Sequence, residues 1–238
     1  MIINKYYDLL KPKVLINLSN KFLSLLMIMS VILIISSFYL GIYVGETDFQ
    51  QGESFKIIYI HVSGAWLSLG SYGLLALFSL IYLINKNLLI YLMGKISAII
   101  GINFSLITLI TGSLWGKHIW GTFWVWDARL TSVLILFFLY LGYLILDKTH
   151  EIRTKAMNNS SILAIIGFIN LPIIKYSVSW WNTLHQSSSV TQNYITLDAY
   201  IYICLFMCFM GIFTFSLCIY FLELRKYMIL RKIETYYL

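Results

Sequence analysis

Charge is what this sequence has least of. Asp, Glu, Lys and Arg make up 11% of its 238 residues, where a soluble domain carries about 25%. With 60% hydrophobic residues and a mean hydropathy of +0.81, too little polar surface remains to coat a water-soluble globule. Proline is almost missing, and Pro172 is the one candidate for a kink or helix end inside an apolar stretch. Cysteine is limited to Cys204, Cys208 and Cys218, all in one apolar run. No Cys-x-x-Cys pair exists, which excludes a zinc ribbon or thioredoxin-type redox site. No Cys-x-x-Cys-His exists either, which excludes a c-type cytochrome. The three thiols read as packing residues. A Gly-x-x-x-x-Gly-Lys-[Ser/Thr] loop is absent, so any use of ATP belongs to another chain. The opening MIINKYYDLLKPKV has no apolar core followed by a small-residue cleavage site and no Arg- and Ser-rich character. The first span is therefore expected to insert without loss of a leader. Alanine and arginine are scarce too, with 7 and 4 residues against 37 Ile and 13 Lys. That is the bias of an AT-rich genome, in an organelle or an AT-rich bacterium.

Long apolar runs are what the sequence does have. About 20 such residues cross a bilayer, and six stretches contain no Asp, Glu, Lys or Arg while staying apolar: 22–45, 57–85, 96–116, 130–146, 156–174 and 199–222. A further charge-free stretch, 176–197, is too polar to insert and reads as a loop. The expectation is an all-α integral membrane protein, one bundle of six transmembrane helices over residues 1–238, with both chain ends on one side. The net charge of +7 does not point to nucleic acid, because the cations sit in short clusters between the spans. The N-terminus, the 86–95 and 147–155 loops and the C-terminus hold Lys5, Lys11, Lys13, Lys21, Lys86, Lys95, Lys148, Arg153, Lys155, Arg225, Lys226, Arg231 and Lys232. The segments 46–56, 117–129 and 175–198 hold only Lys56, Lys117, Arg129 and Lys175. The positive-inside rule puts both termini in the matrix or cytoplasm and those three segments on the outer face.

Seven tryptophans are the informative residues. All fall on the outer side, and four crowd between Trp115 and Trp126. An aromatic belt marks both interfaces, so it accounts for Trp180 and Trp181 but not for this cluster. Indole rings interleaved with Gly116, Gly121 and Thr122 form an apolar surface that can still hydrogen-bond and that a ligand can approach closely. Asp127 is placed to cap the fourth span. Arg129 can pair with Asp127 or offer its planar fork to a carboxylate. A flat, apolar ligand with carboxylates on one edge suits such a surface, and a porphyrin has that form. Its iron wants axial ligands, usually His. His61 opens the second span and His185 lies in the last outer segment, both on the side of the tryptophans. An imidazole beside a span is a functional candidate. His118 reads as a solvent-facing loop residue and His150 as a plain loop residue on the inner side.

The stretch from Thr111 to Ser132, TGSLWGKHIWGTFWVWDARLTS, resembles the tryptophan-rich "WWD" segment of heme-handling proteins. Asp48-Phe49-Gln50-Gln51-Gly52, Ile58-Tyr59-Ile60-His61-Val62 and Trp180-Trp181-Asn182-Thr183-Leu184-His185-Gln186 narrow the resemblance to the cytochrome c maturation protein C family, also called heme exporter protein C. It covers all three outer segments and the six-span layout. The resemblance implies a heme-binding protein of cytochrome c biogenesis, in the mitochondrial inner membrane or the bacterial inner membrane, that does no bond chemistry of its own. It implies heme b held transiently, with His61 and His185 as axial ligands of the iron. Trp115, Gly116, Trp120, Gly121, Trp124, Trp126, Asp127 and Arg129 would then hold the porphyrin, Arg129 and Lys117 meeting its propionates. The implied partners are a membrane-tethered heme chaperone, ABC-transporter-like subunits and a small membrane subunit. Three positions depart from the family's habit: Phe123 stands where Trp is frequent, and Ser63 and His118 stand where Pro is frequent. Two rivals predict other features. A permease for another solute would place polar groups deep in the spans, where only Asn103, Ser105, Thr108 and Thr111 stand out. A di-heme redox subunit would place His pairs at mid-membrane depth.

Overall fold

The computed structural model describes residues 12–46, 48–149, 152–181, 183–185 and 198–237. His150, Asn182, Gln186 and most of the 175–198 segment lie outside them. Seven α-helices follow one another among the described residues, with no strand: α1 Pro12–Phe38, α2 Ile58–Asn85, α3 Leu88–Trp120, α4 Ala128–Thr149, α5 Arg153–Gly167, α6 Asn170–Trp180 and α7 Ala199–Tyr237. A π-helical turn, Tyr39–Val44, extends α1, and a 3-10 turn, Glu53–Ile57, leads into α2. Six stretches are long and apolar enough to cross a membrane: Phe22–Val44, Glu53–Asn85, Leu88–Trp120, Ala128–Thr149, Arg153–Trp180 and Ala199–Tyr227. The protein is thus an all-helical, multi-pass membrane protein. In lipid each backbone N–H and C=O must be satisfied within its own segment, which is why these apolar runs are helices.

Helices α2 and α3 form the most extensive pair, α4 and α5 pack beside them, and α1 lies chiefly against α7. The core at the α2–α3–α4–α5 junction is built on buried tyrosines, Tyr72, Tyr82, Tyr91, Tyr140 and Tyr143. Tyr140 donates to the Ser68 carbonyl at 2.6 Å and meets the Tyr72 ring edge to face at 4.9 Å. A phenol offers a large apolar body, and its hydroxyl finds a carbonyl instead of water.

Two helices differ from the charge-free stretches in ways that shape the molecule. The third span begins at Leu88 and not at 96, because Asn87 caps it, accepting from the Leu89 N–H at 2.8 Å. It also runs on to Trp120. At 1.5 Å per residue its 33 residues extend about 50 Å, well beyond the ~30 Å of hydrocarbon. Trp115 and Trp120, expected at the edge of a span and in a loop, therefore share the last turns of one rigid helix. His118 stands on the same helix end. Gly121, at φ +75°, ends it in the left-handed conformation that costs glycine least, and Lys117 donates to the Gly121 carbonyl at 2.8 Å. The fifth span is broken between α5 and α6 at Phe168–Ile169. Pro172, in the first turn of α6, has no N–H to offer, and the break lies on its N-terminal side, as proline sterics require. The second segment continues past Lys175 to Trp180.

At the end of α4 remote from the tryptophans, Asp147 is 1% exposed. Lys95 of α3 pairs with it at 2.7 Å and Arg153 of α5 at 3.1 Å. Tyr91 donates its hydroxyl to the same carboxylate, and Arg153 also donates to the Asp147 carbonyl at 2.9 Å. One acidic side chain thus joins three helices.

Candidate functional site

The tryptophan-rich end of the bundle encloses a cavity of about 490 Å3, within the usual ~300–1,000 Å3 of a small-molecule site. Its walls come from α2 (His61, Ala65, Ser68, Leu69), from α3 (Thr108 to Trp120), from α4 (Arg129, Leu130, Val133, Leu136) and from Ile174 of α6. Gln50, Gln51, Trp124, Leu184 and His185 complete it. Away from the tryptophans the lining is chiefly aliphatic, with the Ser68 and Thr108 hydroxyls among it, and the aromatic and ionisable groups belong to the tryptophan-rich end.

His61 is fixed on three sides. Its Nδ1 lies 3.0 Å from the Thr111 Oγ1. Its ring meets Trp115 edge to face at 5.6 Å. A Cβ on Gly112 would stand 2.9 Å from its Cε1, so only glycine lets the imidazole sit this close to α3. Trp115 is held in turn, its indole N–H donating to Gln51 Oε1 at 2.9 Å. Gln51 is presented by a tight turn: Asp48 Oδ1 accepts from the Gln50 and Gln51 N–H groups at 2.9 and 2.7 Å. Asp48, Gln51, His61 and Trp115 come from three separate stretches of sequence and form one connected wall.

His185 reaches the same cavity by a tether. Asp127 caps α4, accepting from the Leu130 N–H at 2.7 Å. Its other carboxylate oxygen accepts the Thr183 hydroxyl, whose oxygen accepts the His185 N–H at 3.0 Å. The His185 ring lies edge to face with Trp120 at 6.4 Å. Gly116 leaves room for Trp120, since a Cβ there would meet that ring at 2.9 Å.

Of the ten residues that the sequence singles out, His61, His185, Trp115, Gly116, Trp120, Trp124 and Arg129 line the cavity. Gly121 turns the chain, Asp127 holds the cap and the tether, and Trp126 is 76% exposed with its ring edge to face on Trp124 at 5.5 Å. Those two rings stand at 78° to one another and are not coplanar. Lys117 turns to the Gly121 carbonyl and the Phe123 face, which leaves Arg129 as the cation on the wall. His118, exposed on the last turn of α3, also lines the cavity. Thr111, Gly112 and Thr183 were not legible as site residues. Each is tied to the site through a partner at least 50 positions away, His61 for Thr111 and Gly112 and Asp127 for Thr183.

The cap and the tether can be separated. Asp127→Ala is expected to cost about 0.5–2 kcal/mol through the lost cap and to speed amide exchange at residues 183–185. Asp127→Asn keeps the capping oxygen and so should lose little stability while still loosening the tether. Hydrogen exchange read by mass spectrometry checks both, and equal protection of 183–185 in all three proteins would show that the tether holds nothing.

A family model described as heme exporter protein C matches residues 5–238. A cytochrome c biosynthesis ccmC-like mitochondrial protein of Marchantia polymorpha is 44% identical over 221 residues, covering 93% of this chain and 94% of that protein. Proteins named heme exporter protein C are 44% identical over 183 residues in Bradyrhizobium diazoefficiens (77% of this chain, 69% of that one) and 43% identical over 189 residues in Escherichia coli K12 (79% and 77%).

Proposed function

The chain belongs to the heme exporter protein C family, and on that premise we propose that it receives heme b in the cavity between α2, α3 and α4 and passes it on during cytochrome c maturation. The coarse role, heme handling for cytochrome c assembly, follows from the relatives' names. The finer reading rests on one observation: His61 and His185, from distant parts of the chain, line one cavity together with tryptophan rings and Arg129. The donor set suits the cargo. Neutral imidazole is a common axial ligand of heme iron. Indole edges and the aliphatic floor suit the porphyrin body. A guanidinium suits a propionate, which it can meet with two parallel hydrogen bonds.

In this reading the protein makes and breaks no covalent bond. Its residues hold the macrocycle, exclude bulk water from its apolar part and present one edge outward. Receipt of heme by a membrane-tethered chaperone, work beside ABC-transporter-like subunits and a small membrane subunit, and an outward-facing site with both termini in the matrix or cytoplasm are parts of the same proposal. The skew of basic residues toward the opposite end supports that orientation. A permease for another solute is disfavoured by the cavity lining, which beyond the tryptophan-rich end is chiefly aliphatic, with Ser68 and Thr108 its hydroxyls and Thr108 donating to the Phe104 carbonyl of its own helix.

The test uses the purified full-length chain in detergent and iron-free protoporphyrin IX. Trp115, Trp120 and Trp124 line the cavity, so a bound porphyrin should quench indole fluorescence saturably. Heme should compete for the same site. Linear, non-saturating quenching, or quenching that heme does not displace, would mean that the cavity takes no porphyrin.

A further inference from the structure

The Thr111 hydroxyl stands between two groups, and its single hydrogen can serve only one. Its Oγ1 lies 2.7 Å from the Ile107 carbonyl one helical turn earlier, with a weaker approach to the Thr108 carbonyl at 3.3 Å. It lies 3.0 Å from His61 Nδ1. A carbonyl has no proton to give, and the shorter contact is to the carbonyl. The hydroxyl hydrogen therefore goes to Ile107, and toward His61 the oxygen has only lone pairs. Nδ1 must then carry the imidazole hydrogen. Neutral imidazole carries one such hydrogen, so Nε2 is left bare on a ring that lines the cavity.

We propose that Thr111 is the positioning residue of His61, fixing it as the Nδ1–H tautomer so that Nε2 is the nitrogen offered to heme iron; this rests on the reading of His61 as an axial ligand. Gly112 is the second half of the seat. It leaves the space against which the ring lies, and the contact at Cε1 holds the plane that the Thr111 bond orients. Ile107, Thr111 and Trp115 recur at four-residue spacing and so share one face of α3. That face acts as a template for an imidazole from α2. An acceptor on the outer nitrogen makes the imidazole a better donor to the metal, the usual task of a ligand's supporting hydrogen bond.

Two readouts test the proposal. The first needs no heme. In the heme-free, histidine-15N-labelled chain in micelles at alkaline pH, the His61 signals are those lost in His61→Ala. They are expected to report Nδ1–H in the wild type and in Thr111→Ser, and to shift toward the Nε2–H form in Thr111→Val. That change removes the oxygen and keeps the β-branched shape. The second uses the heme-loaded chain. Thr111→Val should weaken heme retention about 10–100-fold, the usual cost of an outer-shell partner, and raise the midpoint potential. Thr111→Ser should restore both. A wild-type His61 in the Nε2–H form, or a Thr111→Val protein indistinguishable from wild type in both readouts, overturns the assignment. If the tautomer is as expected but His61→Ala leaves the heme spectrum unchanged, the ligand reading beneath fails and Nε2 is not the iron's nitrogen.

Discussion

His61→Ala is expected to abolish retention of heme through purification, and His185→Ala to leave a weakly held heme whose spectrum changes from six-coordinate low-spin to five-coordinate high-spin. Both residues line the cavity, but they are held differently. His61 is on a helix, bonded to Thr111 and packed on Trp115, so little freedom is lost when it binds iron. His185 follows a stretch tied back through Thr183 to Asp127, and more of its freedom is lost on ligation. A preorganised ligand contributes more net affinity than one that must be ordered. Loss of either should exceed the ~10–100-fold cost of an outer-shell partner. Exogenous imidazole gives the control. If His61→Ala leaves an intact cavity, millimolar imidazole should restore a low-spin spectrum, because the missing ring is what it replaces. Three superimposable heme spectra, from the wild type and both variants, would remove the two-histidine site. The iron would then have to be sought elsewhere, with His118 the next candidate on the same wall.

Hydropathy and charge placement are enough to read the membrane class and the six crossings, because lipid imposes helices on any long apolar run. They misplace the ends for a reason visible at Lys95 and Lys117. Counting charge-free residues measures hydrocarbon thickness, whereas a helix ends where its caps are. α3 continues a turn or more past each lysine to Asn87 at one end and Gly121 at the other. Local signals did carry some detail. Pro172 marks the break in the fifth span, and the chemistry of Asp127 as a cap is visible from its position before α4. Its bond to Thr183, 56 positions further on, is not, since nothing between them announces it. The same holds for the seat of His61. A threonine and a glycine inside an apolar helix read as packing residues until a ring from another helix is set against them. Of the candidate site, seven of the ten residues singled out from the sequence line the cavity, and the residues that hold them in place were not legible.

The strongest case of such concealment is Asp147. In sequence it closes a span and reads as one loop charge among several. In the folded chain it is 1% exposed and meets Lys95, Arg153 and Tyr91 from two neighbouring helices. Burying ions costs several kcal/mol each, and the pairing offsets that cost only while every partner is present. Asp147→Ala is accordingly expected to destabilise the protein by about 3–5 kcal/mol, seen as earlier thermal unfolding in detergent. The two cations should not behave alike. The Lys95 side chain is 15% exposed and would be stranded without its counter-ion. Arg153, at 52%, can turn to water, so Arg153→Ala should cost far less, closer to the ~1 kcal/mol ceiling of an exposed pair. The decisive variant removes both buried charges at once. Asp147→Leu with Lys95→Met replaces the ion pair by apolar side chains of similar bulk, a change that is frequently neutral or stabilising. If the double variant recovers wild-type stability while Asp147→Ala does not, the cost belongs to the orphaned lysine, and the hub acts as a charge-matched joint between α3, α4 and α5. If the double variant is as unstable as the single one, the carboxylate's bonds to Tyr91 and Arg153 carry the stability instead. Because the hub lies at the opposite end of α4 from Arg129, some 18 residues or about 27 Å of helix away, neither variant should change the porphyrin quenching of a chain that remains folded.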